Sequence, residues 1–289
     1  MKKVLITGKN SYLGSFVKQE LNRYPQKYQV QELDMMDPNW QSFDFSGFDV
    51  VYHVAGLAHS TPDESQRDFY YQVNTELAYQ TACKAAKEGV SQFIFMSSII
   101  VYGSGKVGQK RLITKDTPLE PDNFYGDSKK QAEKKILSIP GSMKIVILRP
   151  PMIYGPQSKG NYPLLAKFAG KTPVFPTIKN ERSMLFIGNL ALFVKRCIDK
   201  ELEGIYLPQN EDYVSTCDLV KKIAQYHHHK ILFISLFNPF VRLFHSVSAV
   251  NKVFGNLIID PSLSAFSLDY QRYSFDQSIQ LTEKGETAL

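Results

Sequence analysis

The chain has 289 residues, 43% of them hydrophobic and 21% charged, an ordinary balance for a globular protein with one large domain or a main domain carrying a smaller one. Three widely spaced cysteines, Cys83, Cys197 and Cys217, argue against a disulfide framework or zinc site and for a reducing compartment. The formal charge of +6 is scattered among acids, with no basic stripe interleaved with aromatics; this speaks against nucleic acid and suits an anionic small-molecule ligand. No apolar run is long enough to span a bilayer, and the opening "MKKVLITG" turns at once into a strand and a glycine, unlike a secretory signal. The expectation is a cytoplasmic protein without membrane insertion.

In chain order, "KKVLIT", "YQVQEL", "FDVVYHVA", "QFIFMSS" and "KIVILRP" are Val- and Ile-rich runs with little alternation, as expected of strands buried on both faces of a parallel sheet. Between them lie helical periods. Leu13, Phe16, Val17, Leu21 and Tyr24 form one stripe ended by Pro25, and residues 67–88 form another closed by Gly89. Only "MMDPNWQSFDFSGF" separates the second strand from the third, so the usual crossover helix is missing or reduced there. The pattern predicts an α/β fold, a Rossmann-type doubly wound parallel sheet with ligands at the loops after the strands. After Pro151 the rhythm changes: proline and glycine become frequent and strands short. Residues 1–157, with 183–209 returning to them, are expected to form the dinucleotide-binding domain. Residues 158–182 and 210–289 are expected to form a smaller C-terminal α/β substrate lobe. In that lobe "LFNPFVRLFHSVSAVNKVFG" has helical apolar spacing and is expected to be a packed helix rather than one lying on a membrane, because its polar face is not strongly basic.

Three patterns carry chemistry. "TGKNSYLG", Thr7 to Gly14, lies between the first strand and the first helix, where a pyrophosphate would meet the helix N-terminus. Gly8 permits the tight turn and Gly14 the close approach of helix to sheet, with Asn10, Ser11, Tyr12 and Leu13 between them. Ser11 replaces the usual middle glycine; it is small, and its hydroxyl is able to meet a phosphate. Twenty residues past Gly14, Asp34 is placed to accept the adenosine ribose hydroxyls and to favour NAD over NADP. A solvated strand-end aspartate would look the same, and Asp37 is an alternative for part of the role. The third pattern is Tyr and Lys four apart, which share a face on a helix, so that the ammonium stabilises a phenolate acting as acid–base. The chain has the spacing at Tyr102/Lys106, Tyr125/Lys129 and Tyr226/Lys230. The first falls in a glycine-rich loop and the third at a helix exit with three histidines that read as structural. Tyr125 and Lys129 follow the capping residues Asp122 and Asn123 into a helix and are the chosen pair.

With "HVAGLAH", Val73–Asn74, "SSIIVYG", "YGDSK", "LRPPMIYGP" and "NERSMLFIGNL" in this order, the chain resembles the extended short-chain dehydrogenase/reductases of the nucleotide-sugar epimerase/dehydratase branch, over essentially its whole length. The resemblance implies a bound NAD, with Val54, Ala55 and Gly56 lining its adenine side and Asn74 supporting it. It implies Ser98 as catalytic hydroxyl, Tyr125 as acid–base and Lys129 as its partner and grip on the nicotinamide ribose. Asn161 resembles a residue that touches the sugar nucleotide and Arg182 one that neutralises its diphosphate; a second diphosphate-binding basic residue is not placed. Dehydratases of the branch carry an Asp–Glu pair where this chain has Ile99 and Ile100, and some decarboxylases a glutamate. The expected reaction is therefore NAD-dependent inversion at C4 of a UDP-hexose or UDP-N-acetylhexosamine, for surface polysaccharide. A 4-keto-sugar reductase using NAD(P)H is the alternative, and a non-enzymatic NAD sensor or scaffold a further one. No metal is expected, and a homodimer is common in such families.

Overall fold

The computed structural model describes residues 1–58, 64–244, 247–266 and 268–285. The elements run β1 (Lys2–Thr7), α1 (Tyr12–Asn22), β2 (Tyr28–Leu33), β3 (Val50–His53), α2 (Arg67–Tyr71), α3 (Ala78–Lys87), β4 (Gln92–Met96), β5 (Leu112–Ile113) and α4 (Phe124–Leu137). There follow β6 (Lys144–Leu148), β7 (Met152–Tyr154), α5 (Asn161–Ala169), β8 (Val174–Pro176), β9 (Met184–Phe186), α6 (Ile187–Asp199), β10 (Gly204–Tyr206) and α7 (Thr216–Tyr226). The chain continues with β11 (Leu232–Ile234), α8 (Asn238–Leu243), α9 (Ser248–Phe254), β12 (Ile258–Ile259) and α10 (Phe275–Lys284).

The central sheet is six-stranded and parallel, in the order β10–β6–β4–β3–β1–β2. Alternate residues of its strands serve two separate cores. Val4 and Ile6 pack with Val17, Leu21 and Phe193 on one face, while Leu5 and Val51 pack with Ala82, Ala132 and Ile136 on the other. A strand buried on both faces has no polar side, which is why the runs read as unbroken apolar sequence. Thr7 pairs with both Leu33 and His53, and Met96 with Leu148, so the strand ends line up on one edge. That edge carries the site.

Two stretches differ from the expectation. Residues 67–88 are not one regular helix: a π turn over Gln72–Leu77 separates α2 from α3. The segment "LFNPFVRLFHSVSAVNKVFG" is broken by a short 3-10 turn, α8 and α9, and much of its apolar surface stays exposed rather than packed. Between β2 and β3 only a 3-10 turn at Trp40–Ser42 remains, and buried Leu33, Met35, Trp40 and Phe45 cover the sheet there in place of a helix. Among the described residues no helix is long and apolar enough to cross a membrane.

Candidate active site

Gly8 takes φ +124°, and a Cβ on it would stand 3.0 Å from the Ala55 nitrogen. One on Gly14 would lie 2.9 Å from Ile6 Cγ2, which is how α1 closes onto β1. Ser11 is the N-cap of α1: its Oγ accepts the Gly14 amide at 3.2 Å, so the serine completes the helix start that a glycine would leave open. The Tyr12 and Leu13 amides stand in the first turn, where no carbonyl four residues back is available. Gly8 and Lys9 both donate to the Leu33 carbonyl, at 2.9 and 3.1 Å, bringing Asp34 beside the turn. Asp34 is exposed and accepts the Met36 amide at 2.9 Å, while Asp37 accepts the Asn39 amide at 2.8 Å. Asn10 has φ +58° and donates its amide to Glu32 at 3.2 Å.

Below this turn the loop after β3 is pinned from the side. Val54 and Ala55 donate to the Thr7 carbonyl, at 3.1 and 2.9 Å. Asn74, in the π turn and fully buried, accepts the Leu57 amide at 2.8 Å and donates to Ser128 Oγ at 3.1 Å, tying the loop to α4. A single π turn inside a helix reaims side chains of this kind and is common at functional sites. A Cβ on Gly56 would meet Asn74 Oδ1 at 3.0 Å and Lys129 Nζ at 3.1 Å, so glycine leaves a hollow floored by an amide and an ammonium. His59, the last residue of "HVAGLAH", lies outside the described residues.

Ser97 and Ser98 end β4 with opposite duties. Ser97 is buried and donates to Glu133. Glu133 is also gripped by Arg149 Nε, at 3.0 and 3.1 Å from its two oxygens, and Arg149 Nη1 donates to the Tyr102 hydroxyl at 2.7 Å. Tyr102 therefore belongs to a buried structural network. Ser98 faces the cleft near the Tyr125 phenol and accepts the Ile100 amide at 3.3 Å. Asn123 caps α4 by accepting the Gly126 amide at 2.9 Å, whereas Asp122 holds Ser104. A Cβ on Gly126 would lie 2.8 Å from the Ile100 carbonyl, and that close seating brings Tyr125 to Ser98.

Burial pushes the Tyr125 phenol up to about 12, opposed by the Ser98 hydrogen bond. Lys129 is brought down to about 8, chiefly by burial, with the Glu133 charge opposing. Its ammonium donates to the Met96 carbonyl at 2.9 Å and lies over the Phe95 ring at 4.7 Å. This differs from the expectation of an ammonium acting on the phenol: the neighbour that favours the phenolate is Ser98, and Lys129 is anchored toward the Gly56 hollow. The other Tyr–Lys spacings build no such pair. Lys106 bridges to Asn256, and in the third, His227 pairs with Glu283 at 2.6 Å while His229 meets the Thr172 carbonyl at 3.0 Å. Among the described residues no group of histidines, cysteines or carboxylates is arranged to hold a metal.

These parts line one cleft of about 1100 Å³. Ser11, Tyr12, Leu13, Val54 and Gly56 form one end, Ser98, Tyr125 and Lys129 the middle, and Asn161 and Arg182 the far wall. Asn161 Nδ2 and Arg182 Nη1 both donate to the Lys252 carbonyl, at 3.4 and 2.6 Å. Burial without a carboxylate partner lowers Arg182 to about 10. Ile99 and Ile100 line the cleft with neither acid nor base. Of the described carboxylates lining it, Asp127 accepts the Tyr71 hydroxyl at 2.6 Å, Asp122 the Ser104 amide at 3.0 Å, and exposed Glu64 stands 3.6 Å from Arg67. One observation fits a dinucleotide: Gly56 leaves its hollow at the cleft, whereas the unpartnered Tyr12 hydroxyl is covered by protein beside Gly155. The Glu133–Arg149 network, the Gly126 seating and Lys252 had no spacing signal in the sequence.

Residues 4–207 match the model of the NAD dependent epimerase/dehydratase family, and the chain belongs to that family. It is an enzyme of the epimerase or related oxidoreductase kind. It is 31% identical over 244 residues to a UDP-glucose 4-epimerase of Vibrio cholerae, covering 77% of this chain and 71% of that protein. It is 33% identical to the N-acetyl-alpha-D-glucosaminyl-diphospho-ditrans,octacis-undecaprenol 4-epimerase of Escherichia coli O157:H7, over 62% of this chain and about half, 53%, of that one. The fold is that of the Thermus thermophilus UDP-glucose 4-epimerase crystallised with NAD, with a TM-score of 0.74, 19% identity and 98% of each chain covered. It is equally that of a Bacillus anthracis dTDP-4-dehydrorhamnose reductase in complex with NADP, with a TM-score of 0.75, 22% identity, and 98% and 99% covered.

Proposed function

We propose that this enzyme inverts C4 of a hexose or N-acetylhexosamine carried on a diphosphate, with UDP-sugars as the first substrates to try. The observation that carries the reading is the Ser98–Tyr125 hydroxyl pair over buried Lys129, in a cleft where Ile99 and Ile100 stand in place of further acids and bases. Gly8, the first turn Ser11–Gly14 with Asn10 and Tyr12, Val54, Ala55 and Gly56 would hold NAD, with Asn74 fixing the loop and Asp34 or Asp37 meeting the adenosine ribose. Bound there, the dinucleotide accepts hydrogen with its electron pair from C4 and gives it back. Tyr125 removes the proton of the 4-hydroxyl and returns it after the sugar has turned. Ser98 donates a hydrogen bond to the same oxygen as its charge develops, and its hold on Tyr125 favours the phenolate the first step needs. Lys129, anchored toward the Gly56 hollow, would supply positive charge beside the dinucleotide. Arg182 would meet the diphosphate, with Lys252 as the second cation and Asn161 orienting the sugar.

Loss of water would need an additional free acid and base near the carbon next to C4, and the cleft carboxylates are already engaged. Purified protein incubated with UDP-glucose, UDP-galactose and their N-acetyl forms, without reductant, should interconvert a C4 pair. Turnover of a 4-keto sugar only, with stoichiometric NADH or NADPH, would instead make it a reductase.

A further inference from the structure

Most of the large hydrophobic side chains that the described residues leave exposed lie together on the lobe beyond the cleft. Leu236 and Leu243 are 73% and 70% exposed, and Phe240 and Phe244 59% and 52%. Isolated exposed side chains are ordinary, but a contiguous aromatic and aliphatic face of this kind marks an interaction surface. Its parts are joined: β11 pairs with β8, and Asn238 at the start of α8 donates to Thr177 just past β8. Leu164 and Phe168, both exposed, follow Asn161 along α5 at helical spacing, on the same side. Asn161 lines the cleft and donates to the Lys252 carbonyl, so the apolar face begins where the cleft opens.

The charge of this region is one-sided. No acidic residue occurs between Glu133 and Glu181, nor between Asp218 and Asp260, the two stretches that supply the face. Lys159, Lys167, Lys171, Lys179 and Lys230 are exposed in them. Apolar side chains bordered by lysines match the headgroup layer of an anionic bilayer, where the rings sink below the phosphates and the ammonium groups remain among them. A second copy on the same face would set lysines against lysines.

We infer that this face seats on an anionic phospholipid membrane, so that the cleft opens onto the bilayer. The substrate class it serves is a sugar diphosphate carried on a membrane-embedded polyisoprenyl chain, whose diphosphate would meet Arg182 as that of a nucleotide would. The substrate class rests on the epimerase reading of the cleft; the docking does not.

The test uses the full-length protein and sedimentation with vesicles of phosphatidylcholine alone or mixed with phosphatidylglycerol. Anionic vesicles should retain the protein at least about tenfold better than neutral ones, less so at high salt. Leu236→Ser, Phe240→Ser and Leu243→Ser combined should lose about tenfold in retention while UDP-sugar turnover in solution is unchanged, and turnover of a polyisoprenyl-diphosphate sugar in vesicles should fall with retention. The charge reversals Lys167→Glu, Lys171→Glu and Lys230→Glu, on the surface and away from the cleft, give the same loss if the serine variant does not fold. Equal retention of parent and variants, no retention on either vesicle, or a parent dimer that the serine variant dissolves into monomers would each overturn the docking. Retention without conversion of any sugar would defeat the epimerase reading, and the substrate class with it, and leave the docking standing. Conversion of UDP-sugars with retention, but none of the polyisoprenyl substrate, would overturn the substrate class alone.

Discussion

The sheet edge that carries Ser98, Tyr125 and Lys129 and the lobe wall that carries Asn161 and Arg182 are built in opposite ways. At the edge the groups around the pair have fixed partners: Asn74 holds Leu57 and Ser128, Glu133 holds Ser97 and Arg149, and Lys129 holds the Met96 carbonyl. At the wall, Asn161 and Arg182 rest on the backbone carbonyls of Lys252 and Val253, neutral acceptors that an incoming phosphate outbids. Proton transfer needs groups set in place beforehand, whereas sugar and carrier recognition needs groups free to rearrange. On the proposed reading one region would serve the chemistry and the other the grip on the substrate.

Three substitutions and one change of condition bear on that contrast. The largest effect is expected from Tyr125→Phe, which keeps the ring and removes the phenol assigned the proton transfer. It should lower kcat about 10³-fold with an unchanged thermal midpoint, and a loss of less than tenfold in steady-state assays would remove Tyr125 from the mechanism. Next comes Glu133→Gln. It strands Arg149 in the interior and should cost about 3–5 kcal/mol in urea unfolding, whereas Arg182→Gln, which breaks no ion pair, should raise KM and leave the unfolding midpoint near the parent's. Equal destabilisation by both would erase the distinction between edge and wall.

The smallest effect is on pH dependence. Lys129 titrates at about 8 in the folded protein, below its ordinary range. Its charge is complete below that value and lost above it, so kcat/KM should rise with pH as Tyr125 ionises more readily and then bend downward near 8. Stability moves the other way. A lysine whose pKa is lower in the folded than in the unfolded state opposes folding while charged, and the penalty is relieved as pH rises through about 8. Activity profiles and unfolding midpoints recorded between roughly pH 6 and 11, a window that holds both lysine values, separate the two.

The parallel sheet was legible because four of the five predicted strand runs, all but the edge strand β2, are largely buried, and such strands leave an apolar signature. The turn at Gly8–Gly14 was legible for a related reason: a backbone passing close to another backbone tolerates few residues. Choosing Tyr125 over Tyr102 and Tyr226 depended on local context, the Asn123 cap and the helix that follows. What stayed hidden depends on contacts distant in sequence. Nothing near Glu133 announces Arg149, and nothing near Arg182 announces the Lys252 carbonyl. The segment from Leu236 to Phe244 was expected to pack because its spacing is helical. Periodicity reports which residues share a face, not whether another element covers it.

The central claim is that C4 itself gives up and regains its hydrogen on this one enzyme. Incubating the purified protein with a UDP-sugar deuterated at C4, without reductant, and reading the epimerised product by mass spectrometry tests it directly. The account predicts product that keeps the deuterium at C4. Epimerised product that has exchanged the label for solvent hydrogen, or no epimerised product from any of the four UDP-sugars, would contradict it.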